Sequence, residues 1–353
     1  MEEIRAEWQD LARCSPSATP FQTWEWQSAW LRHYRRTKRP HLFAIHEGND
    51  LVGLMPLTRT AGPWRTIRAM GSGLSDYLHP LAREGYEEGV AREVARHLRD
   101  MAKVDLIDLH QVRETQPLAR TNGSFLSFDS GFRCAQEQAT CLVLDLPGSY
   151  EDYLGSLGKS LRYDVRRLEK SLFREGRASV EQVSEHEIAT GLDILFEQHK
   201  LRWHKRGLPG VFGGRARRFH EDWIRQAITE GWLWLSILRL DSEPIGAIYA
   251  MRLGSTCYYY QAGFDPSKGS ISPGTLLVAA TIRRAIEEGL THFDFLRGDE
   301  PYKRRWKPQH EIKNYRLLHP RNSHRGGIGA SWNEAGGRVE ARIRARLEGR
   351  GLI

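Results

Sequence analysis

The sequence predicts an α/β fold, an α+β mixed sheet built as two tandem domains on one plan. Three observations carry this. The chain of 353 residues is long enough for two domains of roughly 150 residues, each with its own core. One order of elements (helix, hairpin, strand, helix, strand) is written twice. Each copy also places a glycine in the second apolar run of its hairpin, Gly53 in DLVGLMPL and Gly246 in EPIGAIYA. Self-similarity at domain length points to duplication, not to a short solenoid repeat.

In the first copy, Trp26, Trp30 and Leu31 of ATPFQTWEWQSAWLRHY recur at helical spacing behind Thr23, a suitable N-cap. HLFAIHEGNDLVGLMPLTRT then places two apolar runs around Gly48-Asn49-Asp50, a hairpin pattern. TIRAM and SDYLHPL follow, separated by a Gly-Ser-Gly break. Residues 86–102 have helical periodicity, and VDLIDLHQV reads as a short buried strand. In the second copy, RARRFHEDWIRQAITEG is the helix. WLWLSILRLDSEPIGAIYAMRLG is a hairpin about Asp241-Ser242-Glu243. TCYYYQAGF, PGTLLVAATIRRAIEEG and HFDFLRG are strand, helix and strand.

A linker joins the copies. Ser149 with Asp152 three residues on is a capping signature, so a helix is predicted over 149–173. Its apolar stripe is Leu154, Leu157, Leu161, Val165, Leu168 and Leu172. A second stripe, Arg162, Arg166 and Lys170 with Lys159 nearby, reads either as a solvated face or as an anion-facing wall. The predicted domains are 1–145 and 146–320, followed by a basic Gly/Arg-rich tail, 321–353. There Trp332, Val339, Ile343 and Leu347 suit a terminal amphipathic helix, with peripheral membrane or nucleic-acid binding as its functional reading.

The formal charge of +8 favours anionic partners without choosing among them. No apolar run reaches the roughly 18 residues of a membrane span, and the acidic, amphipathic MEEIRAEWQDLARC is not a signal peptide, so a cytoplasmic protein is expected. Four cysteines without a C-x-x-C, and no H-E-x-x-H, predict no metal. LGSLGKS imitates a phosphate loop but has Tyr153 at the first glycine position. G-x-G-x-x-G and G-x-S-x-G are absent, so hydride transfer, P-loop and serine-hydrolase chemistry lack their signatures.

The second copy holds the richest chemistry. Alternation puts Tyr258 and Tyr260 on one strand face and Tyr259 on the other, and one of these faces must be half-open. The break DPSKGSISPGT precedes a helix with Ser272 as N-cap, Pro273 at the first position and Gly274 permitting close backbone approach. Such a helix start suits an anion. After HFDFLRG comes DEPYKRRWKP. There Tyr302 or Lys303 can donate a proton or stabilise an oxyanion, Asp299 can orient an amine or hydroxyl, and Trp306 adds an aromatic surface. In the first copy Trp24, Trp26, Asp76 and Tyr77 combine aromatic rings with a carboxylate, which suits a sugar or amine acceptor.

FQTWEWQSAW, DLVGLMPL, LSDYLHPL, LGKSLRYDVRRLEK, PIGAIYAMRLGSTCYYYQAGFDPSKGSISPGTLLVAATIRRAIEEGL and FDFLRGDEPYKRRW carry a resemblance. They resemble the CelD-like or BioF-like branch of the GNAT acetyltransferase superfamily, associated with cellulose and exopolysaccharide biosynthesis. That branch is similar in turn to the Fem peptidoglycan aminoacyl ligases. The resemblance implies two tandem GNAT-like acyltransferase domains and acyl-CoA, such as acetyl-CoA, as donor. It implies a small-molecule or glycan-precursor acceptor. Lys303 becomes the leading catalytic residue, beside Tyr302 and Asp299. The donor would lie at Lys268, Gly269, Ser272, Gly274 and Thr275, with Arg162 and Arg166. The acceptor would meet Trp24, Trp26, Asp76, Tyr77, Tyr258, Tyr260 and Trp306. SKGSISPG departs from the superfamily's [RQ]-x-x-G-x-[GA] pyrophosphate loop, since only Gly274 aligns. An aminoacyl-tRNA donor and a non-catalytic glycan-precursor binding or scaffold role are the alternatives.

Overall fold

The computed structural model describes residues 1–36, 38–60, 63–119, 134–204, 210–321, 325–332 and 335–336. In chain order the elements are α1 (Arg5–Cys14), α2 (Trp24–Tyr34), β1 (Lys38–Glu47), β2 (Asp50–Thr60), β3 (Thr66–Ala69), β4 (Leu81–Ala82), α3 (Glu87–Asp100), β5 (Leu106–Arg113) and β6 (Cys134–Asp145). There follow α4 (Tyr150–Ser156), α5 (Lys159–Leu168), β7 (Ala178–Gln182), α6 (Ile188–His204), α7 (Gly214–Thr229), β8 (Leu233–Leu240), β9 (Glu243–Leu253), β10 (Thr256–Phe264), α8 (Pro273–Glu287), β11 (His292–Arg297), α9 (Pro301–Arg304) and β12 (His310–Pro320).

These elements form two compact units, Met1–Thr140 with Ile312–Ile353, and Cys141–Glu311. Each has a mixed sheet, as the sequence predicts. In the first, β1, β2 and β3 are antiparallel neighbours, β3 and β5 are parallel across α3, and β5 is antiparallel to β12. In the second, β7 to β10 form an antiparallel meander, β10 and β11 are parallel across α8, and β11 is antiparallel to β6. The shared plan has a shared packing reason. A Cβ on Gly53 would stand 2.4 Å from Val90 of α3, and one on Gly246 would stand 3.0 Å from Leu277 of α8. The crossover helix of each unit lies directly on that glycine. The stripe Val90, Ala91, Val94, Ala95 and Leu98 seals the first core, and Leu276, Leu277, Ala279 and Ile282 seal the second.

The unit boundaries differ from the expected domains. β12 falls in the segment predicted to close the second domain, yet nearly all of it belongs to the first unit, where it pairs with β5. β6 lies wholly within the predicted first domain, yet from Cys141 on it belongs to the second unit, where it supplies the strand beside β11. The linker also differs. Ser149 caps α4 as predicted, its Oγ accepting from Asp152 N at 3.1 Å, and all six stripe residues are buried. The predicted helix 149–173 is nevertheless interrupted at Leu157-Gly158, where the backbone is extended, and it ends in a π turn over Glu169–Phe173. The carbonyls exposed by that break are met by side chains: Arg162 Nη1 donates to Gly155 O at 2.8 Å and Lys307 Nζ to Ser156 O at 2.6 Å.

Residues 325–332 are helical, whereas the rest of the expected terminal helix, with Val339, Ile343 and Leu347, lies outside the described residues. Among the described residues no helix is long and apolar enough to cross a membrane.

Candidate functional site

The second unit contains a splayed pair of parallel strands. β10 and β11 pair only at Thr256–His292, Cys257–Phe293 and Tyr258–Asp294. β10 then bulges, its register with β9 shifting between Tyr259 and Gln261. β11 bends at Leu296, which has φ 56°, and the buried Asp294 takes the Leu296 N–H at 2.7 Å. This local pairing holds a strained backbone apart from its parallel neighbour.

A pocket of about 330 Å³ opens here. Its walls are Tyr259 and Phe264 of β10, Gly269, Ser272, Pro273, Gly274, Thr275 and Val278 at the start of α8, Leu161 of α5, Arg202 of α6, and Tyr302, Arg305 and Trp306 beyond β11. Helix α8 starts with Pro273 and has no acidic residue in its first turn, so its positive end is uncompensated there. The equivalent helix α3 begins with Glu87 and Glu88. A Cβ on Gly274 would lie 3.1 Å from the Phe264 ring, so glycine lets ring and helix start approach. Arg202 Nη1 donates to Ala262 O at 2.9 Å and its guanidinium lies 5.1 Å from the Phe264 ring centre. Its Nε is buried without a partner. Burial, with the neighbouring Tyr302, pushes the Tyr259 phenol well above its ordinary range, so it stays protonated and hydrogen-bonds Tyr302.

Six predicted residues thus meet at one pocket: Gly269, Ser272, Gly274, Thr275, Tyr302 and Trp306. Ser272 occupies the N-cap position, but its backbone is left-handed and its side chain makes no capping bond. Lys268 stands on the preceding 3-10 turn and does not line the pocket. Arg162 is taken by Gly155 O, and the exposed Arg166 pairs with Glu151 at 2.9 Å.

Lys303 is 4% exposed. Its Nζ donates to Arg297 O at 2.9 Å and Gly298 O at 3.2 Å, and pairs with Glu300 at 2.9 Å. Two carbonyls thus accept from the ammonium, and Glu300 pairs with it by charge, within the loop that Lys303 closes. Asp299 is exposed and held by both sides of the Arg304 fork.

Tyr258 and Tyr260 were expected to meet the acceptor, but Tyr259 is the one that lines the pocket. Tyr258 is buried, and the Tyr260 ring lies 5.2 Å from Tyr249 and 5.3 Å from His220. Trp24, Trp26, Asp76 and Tyr77 do not form an open acceptor surface, for all four are buried in the first unit. Trp26 Nε1 donates to Ser75 Oγ at 2.9 Å, Arg113 stacks 3.7 Å above Tyr77, and Asp76 O accepts from Asn314 at 2.7 Å. This same segment bridges the strand end of the first unit: Leu78 N donates to Gln111 O at 2.9 Å, beside the buried Leu78 side chain.

Sequence reasoning did not single out Arg202, Tyr259, Phe264 or Arg305 as site residues. Arg305 is exposed and lines the pocket, its Nη2 at 3.5 Å from Asp164. Among the described residues no cluster of three or more His, Cys, Asp or Glu side chains is placed to hold a metal ion.

Residues 159–304 match the family model for the acetyltransferase (GNAT) domain. Solved structures extend the likeness over most of the chain. FemX is 12% identical, with a TM-score of 0.63 over 88% of this chain and 95% of its own. L-PGS from Bacillus licheniformis is 16% identical, with a TM-score of 0.52 over 84% and 91%. A tandem GNAT protein from the clavulanic acid biosynthesis pathway is 12% identical, with a TM-score of 0.50 over 90% and 95%. At these identities the likeness is one of fold. A search of curated proteins finds no match.

GNAT domains usually bind acyl-CoA, and the pocket residues fit that group. The orphaned Arg202 Nε and the acid-free start of α8 suit a pyrophosphate, Gly274 leaves the room a Cβ would fill, and Tyr259, Phe264 and Val278 offer apolar walls.

Proposed function

We propose that the second unit transfers an acyl group from acyl-CoA to an amine or hydroxyl of a cell-envelope glycan or a nucleotide-linked precursor. The observation that supports this best is the buried, unpartnered Arg202 Nε beside the start of α8 in a splayed strand pair. When bound, acyl-CoA supplies a thioester whose carbonyl an acceptor attacks directly. Arg202, Arg305 and the α8 start hold the anionic part of the donor. Tyr302 would give a proton to the departing thiolate and recover one, through solvent, from the acceptor that loses it, while Tyr259 holds Tyr302 through their hydrogen bond. Lys303 is a positioning residue that fixes the turn carrying Tyr302, with Asp299 and Arg304 locking its outer edge. The glycan acceptor rests on the resemblance to the CelD-like branch. Incubation with acyl-CoA donors and candidate sugars should release free thiol. A Tyr302→Phe variant that turns over at the wild-type rate would exclude Tyr302 as the proton donor.

One observation favours a second reading, an aminoacyl-tRNA donor. Tyr163, Arg167, Lys170 and Arg174 are exposed at successive turns of α5 and its extension, with Tyr163 66% exposed. Two of the nearby acids face elsewhere: Asp164 faces Arg305, and Glu169 bonds Tyr150 and Arg283. An aromatic ring among cations suits stacked bases and phosphates. Charged tRNA should then bind with a steep loss of affinity as salt rises. Ligand retention without turnover on either donor would instead point to a glycan-precursor binding or scaffold role.

A further inference from the structure

Helical residues 325–332 pack on the first unit by one face. Gly326 sits against the Asp105 and Arg321 carbonyls, Gly329 lies on the Trp64 ring, and Ala330 is buried with Leu106 and Leu318. At 100° per residue, Ile328 and Trp332 project from the opposite face, one turn apart. They are 63% and 71% exposed, and Trp332 is the most exposed large apolar side chain among the described residues. An indole and an isoleucine held outward by a glycine-lined anchor are costly in water unless something covers them.

Charge indicates what covers them. Arg325 is exposed on the same helix, and residues 325–353 carry six arginines against three glutamates and no aspartate. A protein partner would need its own apolar patch within an acidic surround. An anionic bilayer supplies both features, an interfacial zone that accepts indole and headgroups that attract arginine.

We infer that this face docks on an anionic lipid surface, with Trp332 and Ile328 entering the headgroup layer and the net positive charge of residues 325–353 favouring the anionic headgroups. The attachment is peripheral and independent of the donor pocket. The test uses the full chain with vesicles of phosphatidylcholine alone and vesicles containing phosphatidylglycerol. Co-sedimentation and a blue shift of tryptophan emission are expected only with the anionic vesicles, and both should weaken as salt rises. The double variant Ile328→Ser, Trp332→Ser should bind those vesicles roughly tenfold more weakly with an unchanged melting temperature, because both side chains are on the surface. Wild-type protein that ignores anionic vesicles at low salt, or a double variant that binds them as well, would overturn the inference. So would a wild-type dimer that the double variant converts to monomer, since a second copy would then cover the face.

Discussion

Acidification offers a quantitative test of the second unit. His199 and His220 are 2% and 1% exposed, and burial pushes both imidazoles down from 6.5 to about 3. The Arg202 guanidinium pushes His199 the same way, and coupling between the two imidazoles does so for His220. The folded state therefore binds fewer protons than the unfolded chain between these pH values. The stability contributed by each neutral imidazole is complete above pH 6.5 and is lost as pH falls from 6.5 toward 3. Between pH 7 and pH 5 the unfolded histidine gains most of its proton while the folded one gains almost none. This costs about 2 kcal/mol per histidine, or roughly 4 kcal/mol for the pair. The total is a large part of the ~5–15 kcal/mol that holds a domain folded. His79, also about 3 and buried in the first unit, should cost that unit about 2 kcal/mol over the same range. Urea denaturation followed by tryptophan fluorescence at pH 7 and pH 5 reads these losses. His220→Phe, set among the rings of Phe212, Phe219 and Tyr249, should remove about half of the second unit's pH dependence. Equal urea midpoints at the two pH values would refute the argument that these histidines are held neutral.

Other expectations concern the pocket and its frame. Arg202→Ala should weaken acyl-CoA binding by about tenfold, measured by calorimetric titration. Tyr302→Phe should lower kcat by roughly a hundredfold with KM for the donor little changed. Lys303→Met leaves Glu300 and two carbonyls without their shared donor, so it should destabilise the second unit by about 3 kcal/mol in denaturant titrations. Gly263→Ala would set a Cβ 2.1 Å from His199 N, where backbone must move, and should cost about 3 kcal/mol or more.

What was legible in the sequence was local. Thr23 and Ser149 cap the helices they were expected to cap, and the expected turns close both hairpins, with Gly48, Asp241 and Ser242 at the positive φ values that suit the strand twist. β10, α8 and β11 match their sequence signals closely, so the helix start at the pocket was readable. What failed depended on distant partners or on one-residue irregularities. Strand alternation separates Tyr259 from Tyr258 and Tyr260, but which of the two faces opens on the pocket depends on what packs against each. The cluster 299–306 was seen, but the single turn of α9 decides that Tyr302 lines the pocket while Lys303 tucks beneath. Helix α6 carries Arg202 and contacts the sheet through Leu192, Leu195 and the polar but buried Gln198 and His199, so its apolar stripe is weak. Trp24, Trp26 and Tyr77 resembled a binding surface by residue type, and only burial distinguishes a core aromatic from a platform.

The placement of β12 also orders events during synthesis. The second unit draws every strand from residues 134–311 and can close once that stretch has left the ribosome. The first unit begins at Met1, yet its sheet lacks the neighbour of β5 until residues 312–320 emerge. The unit made first is therefore completed last. In the interval the edge of β5 offers unpaired backbone groups, and chains truncated near residue 311 should be prone to aggregate through it.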